Sequence, residues 1–112
     1  MAYFVVRSEQ GPAWDPARPM REQKLWTDHA AYINSLLSSD KMLLGGPLGD
    51  GRPYRAMVVF IANSEDEIRE RIEKDPWYQA GVLQVSTIEP WNMIATHDSL
   101  DPALAELAKR AG

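Results

Sequence analysis

The chain has 112 residues, 12 basic against 16 acidic, a net charge of −4 and no cysteine. A length of ~100–150 residues suits one domain, the acidic balance supplies no footprint for nucleic acid, and the lack of thiols removes disulfides, thiolate nucleophiles and zinc ribbons. The longest clean apolar run, Ala56 to Ala62, has seven residues, against the ~20 of a membrane helix. Arg7 and Glu9 interrupt the N-terminus before a signal-peptide core can form. The expectation is a single domain over residues 1–112, soluble, unprocessed and cytoplasmic, with neither membrane nor nucleic acid as a partner.

Ala2 to Ser8, β-branched and aromatic, reads as a strand that stops at Gly11-Pro12. Gly11 to Pro19 holds three prolines and Trp14, so it reads as an ordered loop with an aromatic anchor. From Met20 to about Ser39, Leu25, Tyr32, Ile33, Leu36 and Leu37 recur on one helical face. Lys41 to Gly45 reads as a short strand, followed by turn formers from Gly46 to Pro53. Tyr54 to Ala62 is a strand apolar on both faces, with Met57, Val59 and Ile61 on one and Val58, Phe60 and Ala62 on the other. Such a strand is covered twice.

Ser64 with Glu67 forms a capping box, and the helix it opens runs to about Lys74. Asp75-Pro76 is an N-cap followed by an N1 proline, opening a short turn through Trp77 and Tyr78. Val82 to Glu89 reads as a fourth strand ended by Pro90, and Asp101-Pro102 opens a tail helix carrying Leu104, Leu107 and Arg110. The order βαββαβ with a C-terminal helix matches a ferredoxin-like α+β fold: a four-stranded antiparallel sheet with two helices on one face. A second copy of the chain is the simpler cover for the remaining face, which predicts a homodimer.

His29 stands four residues after Leu25 and four before Ile33, on the apolar stripe of its helix. It is either a core histidine satisfied by a carbonyl or water, or a general acid/base at the floor of a cleft. Asp75 is explained by capping alone. Gly45-Gly46-Pro47 is either a hairpin corner or a backbone approach to a ligand. Arg21 is either an exposed first-turn arginine or the partner of a substrate carboxylate. Trp14, Trp26, Trp77 and Trp91 are flat walls for a ring, or, for Trp14 and Trp91, pins that hold loops to the core. His29 and His97 lie 68 positions apart among scattered acids, so no metal-ligand spacing exists and neither metal nor cofactor is expected.

Taken in order, the N-terminal strand, His29 midway along the first helix, Gly45-Gly46-Pro47-Leu48, Ser64, Asp75-Pro76, Gly81 and Ile88-Glu89-Pro90 resemble the YCII-related family. Gly11-Pro12-Ala13-Trp14-Asp15, Met20-Arg21-Glu22-Gln23 and Asp75-Pro76-Trp77 are similar to a branch with a longer strand-to-helix loop. The resemblance covers about residues 2–91 and leaves 92–112 as an extension. It implies a dimeric ferredoxin-like α+β barrel whose cleft holds a histidine–aspartate catalytic dyad, here His29 and Asp75, with Gly46-Pro47 at the cleft mouth. Relatives of similar fold handle lactones, muconate-type rings and other aromatic breakdown products. The implied function is a small cofactor-free enzyme of the lyase or isomerase type, shuttling protons on an aromatic or lactone-like metabolite. The alternatives are a dimeric module that binds such a ligand without turning it over, and a structural dimerisation domain.

Overall fold

A computed structural model describes residues 1–111; residue 112, the last of the extension, lies outside them. The elements in order are β1 (Ala2–Gln10), α1 (Trp26–Ser38), β2 (Met42–Pro47), β3 (Arg55–Ala62), α2 (Glu65–Glu73), α3 (Pro76–Gln79), β4 (Leu83–Trp91) and α4 (Asp101–Ala111). Single 3-10 turns occupy Met20–Glu22 and Asp98–Leu100.

The four strands pair antiparallel in the order β2-β3-β1-β4, with Val5 opposite Val59 and Val6 opposite Ile88. The β-branched and aromatic strands β1 and β3 are central, whereas β2, which carries Gly45, Gly46 and Pro47, and β4, which carries Pro90, are the edges. A residue without an N–H is tolerated at an edge. That is why β4 runs through Pro90 to Trp91 and past the expected stop.

The expected barrel is not formed. β2 and β4 are opposite edges that do not pair with each other, so the sheet is open. Four strands are half of the ~8 that closure around a side-chain-filled interior takes. The fold is therefore α+β with an open antiparallel sheet and a C-terminal helix, and the α+β barrel implied by the resemblance is corrected.

Phe4 and Val6 of β1 and Phe60 and Ala62 of β3 point to one face, where they pack with Leu36 of α1 and Ile68 of α2. On the other face Val59 and Ile61 are buried within the chain, at 0% and 3% exposed, whereas Tyr3, Val5 and Met57 are half-buried and Arg7, Thr87 and Glu89 are exposed. The tail leaves β4 at one edge and reaches the other. There Arg110 Nε donates to Asp40 Oδ2 at 2.9 Å, two residues before β2. The tail thus spans the width of the sheet, and at Val59 and Ile61 the chain supplies the cover that the sequence reading assigned to a second copy.

The first helix starts at Trp26 rather than at Met20. The buried Gln23 accepts from Asp15 N at 2.9 Å and donates to Asp15 O and Arg18 O at 2.7 and 2.8 Å. Lys24 O accepts from Trp77 Nε1 at 2.8 Å. These bonds tie residues 20–24 to the proline loop and to α3, and Leu25 makes the corner in the left-handed region with φ 61°. The proline loop is pinned in turn at Gly81, whose φ of +75° suits glycine and whose carbonyl accepts from Ala13 N at 2.9 Å.

Candidate active site

α3 is a four-residue helix, and its placement decides the site. Asp75 is its N-cap: Oδ1 accepts from Trp77 N at 2.9 Å, with Pro76 at the first helical position. The same carboxylate meets the imidazole of His29 across 46 residues of sequence, with Nδ1 at 2.8 Å from Oδ1 and 2.9 Å from Oδ2. An ionised carboxylate only accepts, so Nδ1 is the donor and the neutral ring carries its lone pair on Nε2. Capping and pairing are thus two duties of one side chain.

The ring is held on a second side. Trp77, fully buried, stacks on the His29 imidazole with centroids 3.9 Å apart and planes within 6°. Trp26 lies at 5.8 Å. The His29 side chain is 12% exposed and that of Asp75 3%. Nε2 has no protein partner, although every buried side-chain polar atom among the described residues has one. Nε2 is therefore the nitrogen that solvent reaches.

His29 and Asp75 line a cavity of about 250 Å³ between α1, α3 and the sheet, which Gly46 and Pro47 of β2 and Trp26 of α1 also line. An apolar cavity of roughly 150 Å³ holds a benzene molecule, so this one has room for a single substituted ring. Trp77 stands behind the imidazole. Trp14 stacks on Tyr54 at 4.4 Å and lines an adjoining open groove between the proline loop and the β2–β3 loop, which shares Met20, Pro47 and Tyr54 with the cavity. Arg21 is exposed and lines neither space. The structure brings His29, Asp75, Gly46, Pro47, Trp26 and Trp77 together and leaves Trp14 and Arg21 outside.

Four hydroxyl-bearing residues of the cavity were not singled out from the sequence as site residues: Ser8, Tyr32, Tyr54 and Tyr78. Ser8 continues the inward row of Phe4 and Val6, and Tyr78 follows Asp75 by three positions, about one helical turn. Those spacings are the signals that could have found them. Burial pushes the Tyr78 phenol up to about 12, with the nearby Asp75 charge adding to the rise and the Ser8 hydrogen bond opposing it. Burial, then the Asp75 charge, likewise raises Tyr32, whose hydroxyl donates to Arg71 O at 2.7 Å. No three His, Cys, Asp or Glu side chains among the described residues are grouped to hold a metal ion. No helix among them is long and apolar enough to cross a membrane.

Residues 1–92 match the YCII-related domain. The chain belongs to the YCII-related family. A solved structure similar to this YCII-related chain is 5-chloro-2-hydroxyhydroquinone dehydrochlorinase from Burkholderia phenoliruptrix AC1100, in complex with 2,5-dihydroxybenzoquinone. The two share 24% identity and a TM-score of 0.56 over 82% of this chain and 94% of that one, a likeness of fold. No protein of curated function matches the sequence.

Proposed function

We propose that this YCII-related chain is a small cytoplasmic enzyme in which His29 and Asp75 transfer a proton on a small aromatic or lactone-like ring, in an elimination or isomerisation. The observation that carries the reading is the bond from His29 Nδ1 to Asp75 at 2.8 Å, with Nε2 left free of protein partners beside a ring-sized cavity. Nε2 takes a proton from the ring, and the electrons of the broken bond move into the ring. They either expel an anionic leaving group or shift a double bond. Asp75 and the stacked Trp77 face stabilise the imidazolium so formed. The proton then passes to solvent or to another ring position, and the chemistry requires no group beyond these side chains. The dehydrochlorinase of like fold, solved with a benzoquinone, supports the ring class.

The proposal includes a homodimer, supported by the exposed apolar side chains of Leu44, Trp91, Ile94 and Leu100. The enzymatic test is turnover of a panel of chlorinated hydroquinones and unsaturated ring lactones, read as chloride release and ultraviolet absorbance change. The wild type is expected to convert at least one compound, and His29→Ala to lose at least ~100-fold of that rate. Full activity in His29→Ala contradicts the dyad, and ring binding without any turnover leaves the cleft a binding module.

A further inference from the structure

Apart from the dyad, the cavity wall is largely apolar, with Val6, Met20, Ile33, Phe60 and Leu83 on it. Of the four hydroxyls on it, Tyr32 donates to Arg71 O at 2.7 Å and Tyr54 to Met20 Sδ at 3.1 Å, which leaves Ser8 and Tyr78. Their hydroxyls hydrogen-bond to each other, Ser8 is buried, and both side chains line the same cavity as His29. Two hydroxyls bring two hydrogens, and the bond between them uses one. Neither oxygen has a second protein partner. The other hydrogen therefore points to no protein acceptor, in a wall where an unmade hydrogen bond is costly.

We propose that the Ser8–Tyr78 pair is a second polar pole of the cavity, which receives a neutral hydroxyl or carbonyl oxygen of the ring whose proton faces His29. The inference rests on the reading of the cavity as a ring site and narrows its substrate class. The phenol of Tyr78, raised by burial to about 12, keeps its proton at neutral pH and stays a donor. Arg71, a cation at the wall, spends its guanidinium on Lys41 O, Ile61 O and Glu67. Arg21, the carboxylate partner considered from sequence, stands outside the cavity. The pocket therefore suits an oxygenated neutral ring, such as a phenol, quinone or lactone, better than an aromatic carboxylate. Ser8 and Tyr78 act here as positioning residues, fixing which ring atom meets Nε2.

The test compares two ring probes of similar size, hydroquinone and toluene, whose binding is followed by titration calorimetry. Ser8→Ala/Tyr78→Phe removes both partners while keeping their shape, a change that is nearly neutral for stability. In this double variant hydroquinone is expected to bind about tenfold more weakly, while toluene stays within about twofold. Tyr78→Phe alone, expected to cost hydroquinone several-fold, supplies the same comparison should the double variant unfold. His29→Ala is expected to keep the selective response to loss of the pair. Hydroquinone and toluene binding that move together, or do not move at all, overturn the second pole and leave the dyad standing. Failure of the wild type to bind either ring overturns the ring-site reading and this inference with it.

Discussion

Asp75 Oδ1 accepts from both His29 Nδ1 and Trp77 N, at 2.8 and 2.9 Å, so one atom sets the tautomer of the imidazole and the start of α3. Asparagine at this position caps as well as aspartate, but with its oxygen on Trp77 N it turns an N–H₂ toward Nδ1. The ring then carries its proton on Nε2, the wrong nitrogen for a base. Asp75→Asn is therefore expected to lower turnover on the order of 10⁴-fold and leave the urea midpoint almost unchanged. A matched loss of stability and activity would assign Asp75 to capping alone. Tyr78 makes a separate prediction with a defined sign. Its phenol stands at about 12 in the folded chain against the ordinary 10. Below pH 10 both states are protonated, and between about 10 and 12 only the unfolded chain gives up the proton. Stability is expected to fall by as much as about 3 kcal/mol across that window, and Tyr78→Phe to remove this part of the loss in alkaline denaturation. An unchanged profile in the variant would place the alkaline sensitivity elsewhere. At this scale the sequence shows that His29 lies on an apolar stripe and that Asp75 caps a helix. It does not show that they meet, because the distance between α1 and α3 depends on packing across 46 residues.

The elements whose boundaries come from their own residues are the ones that local pattern describes best. Ser64 accepts from Glu67 N at 3.3 Å, Glu67 accepts from Asn63 N at 3.0 Å, and α2 begins there. Asp75-Pro76 opens α3 by the same local chemistry. The start of α1 is different. A continuous apolar stripe from Leu25 onward suggests a helix from Met20, yet the bonds of Gln23 to Asp15 and Arg18 and of Trp77 to Lys24 O hold that stretch as a 3-10 turn and a left-handed corner. No periodicity reports contacts made by a glutamine amide to a distant loop. Gln23→Ala leaves those loop backbone groups without their partners and is expected to cost about 2 kcal/mol. It should also reduce turnover, since the corner aims Trp26 and His29. A variant with wild-type stability in urea would show that the corner is held by other contacts.

At the scale of the molecule, the doubly apolar β3 signals two covered faces; the helices cover one, and the chain buries the other over only part of its width, at Val59 and Ile61. What the pattern cannot specify is the cover, because the tail that reaches Asp40 through Arg110 carries only two leucines in its helix and leaves Ile94 88% exposed. In the proposed homodimer, the exposed Leu44, Trp91, Ile94 and Leu100 are the apolar surface available for pairing. Light scattering at micromolar concentration is expected to give twice the 12.6 kDa chain mass, and a monomer would contradict the homodimer. Strand order, the α3 cap and the Trp77 stack all converge on one atom, Nε2 of His29. The most direct measurement is ¹⁵N NMR of the His29 imidazole in its neutral form, with and without a bound phenolic ring. The prediction is a proton fixed on Nδ1 and an unprotonated Nε2 whose resonance shifts when the ring binds. A neutral ring protonated on Nε2, or a resonance indifferent to the ligand, would contradict a proton-transfer role for the dyad.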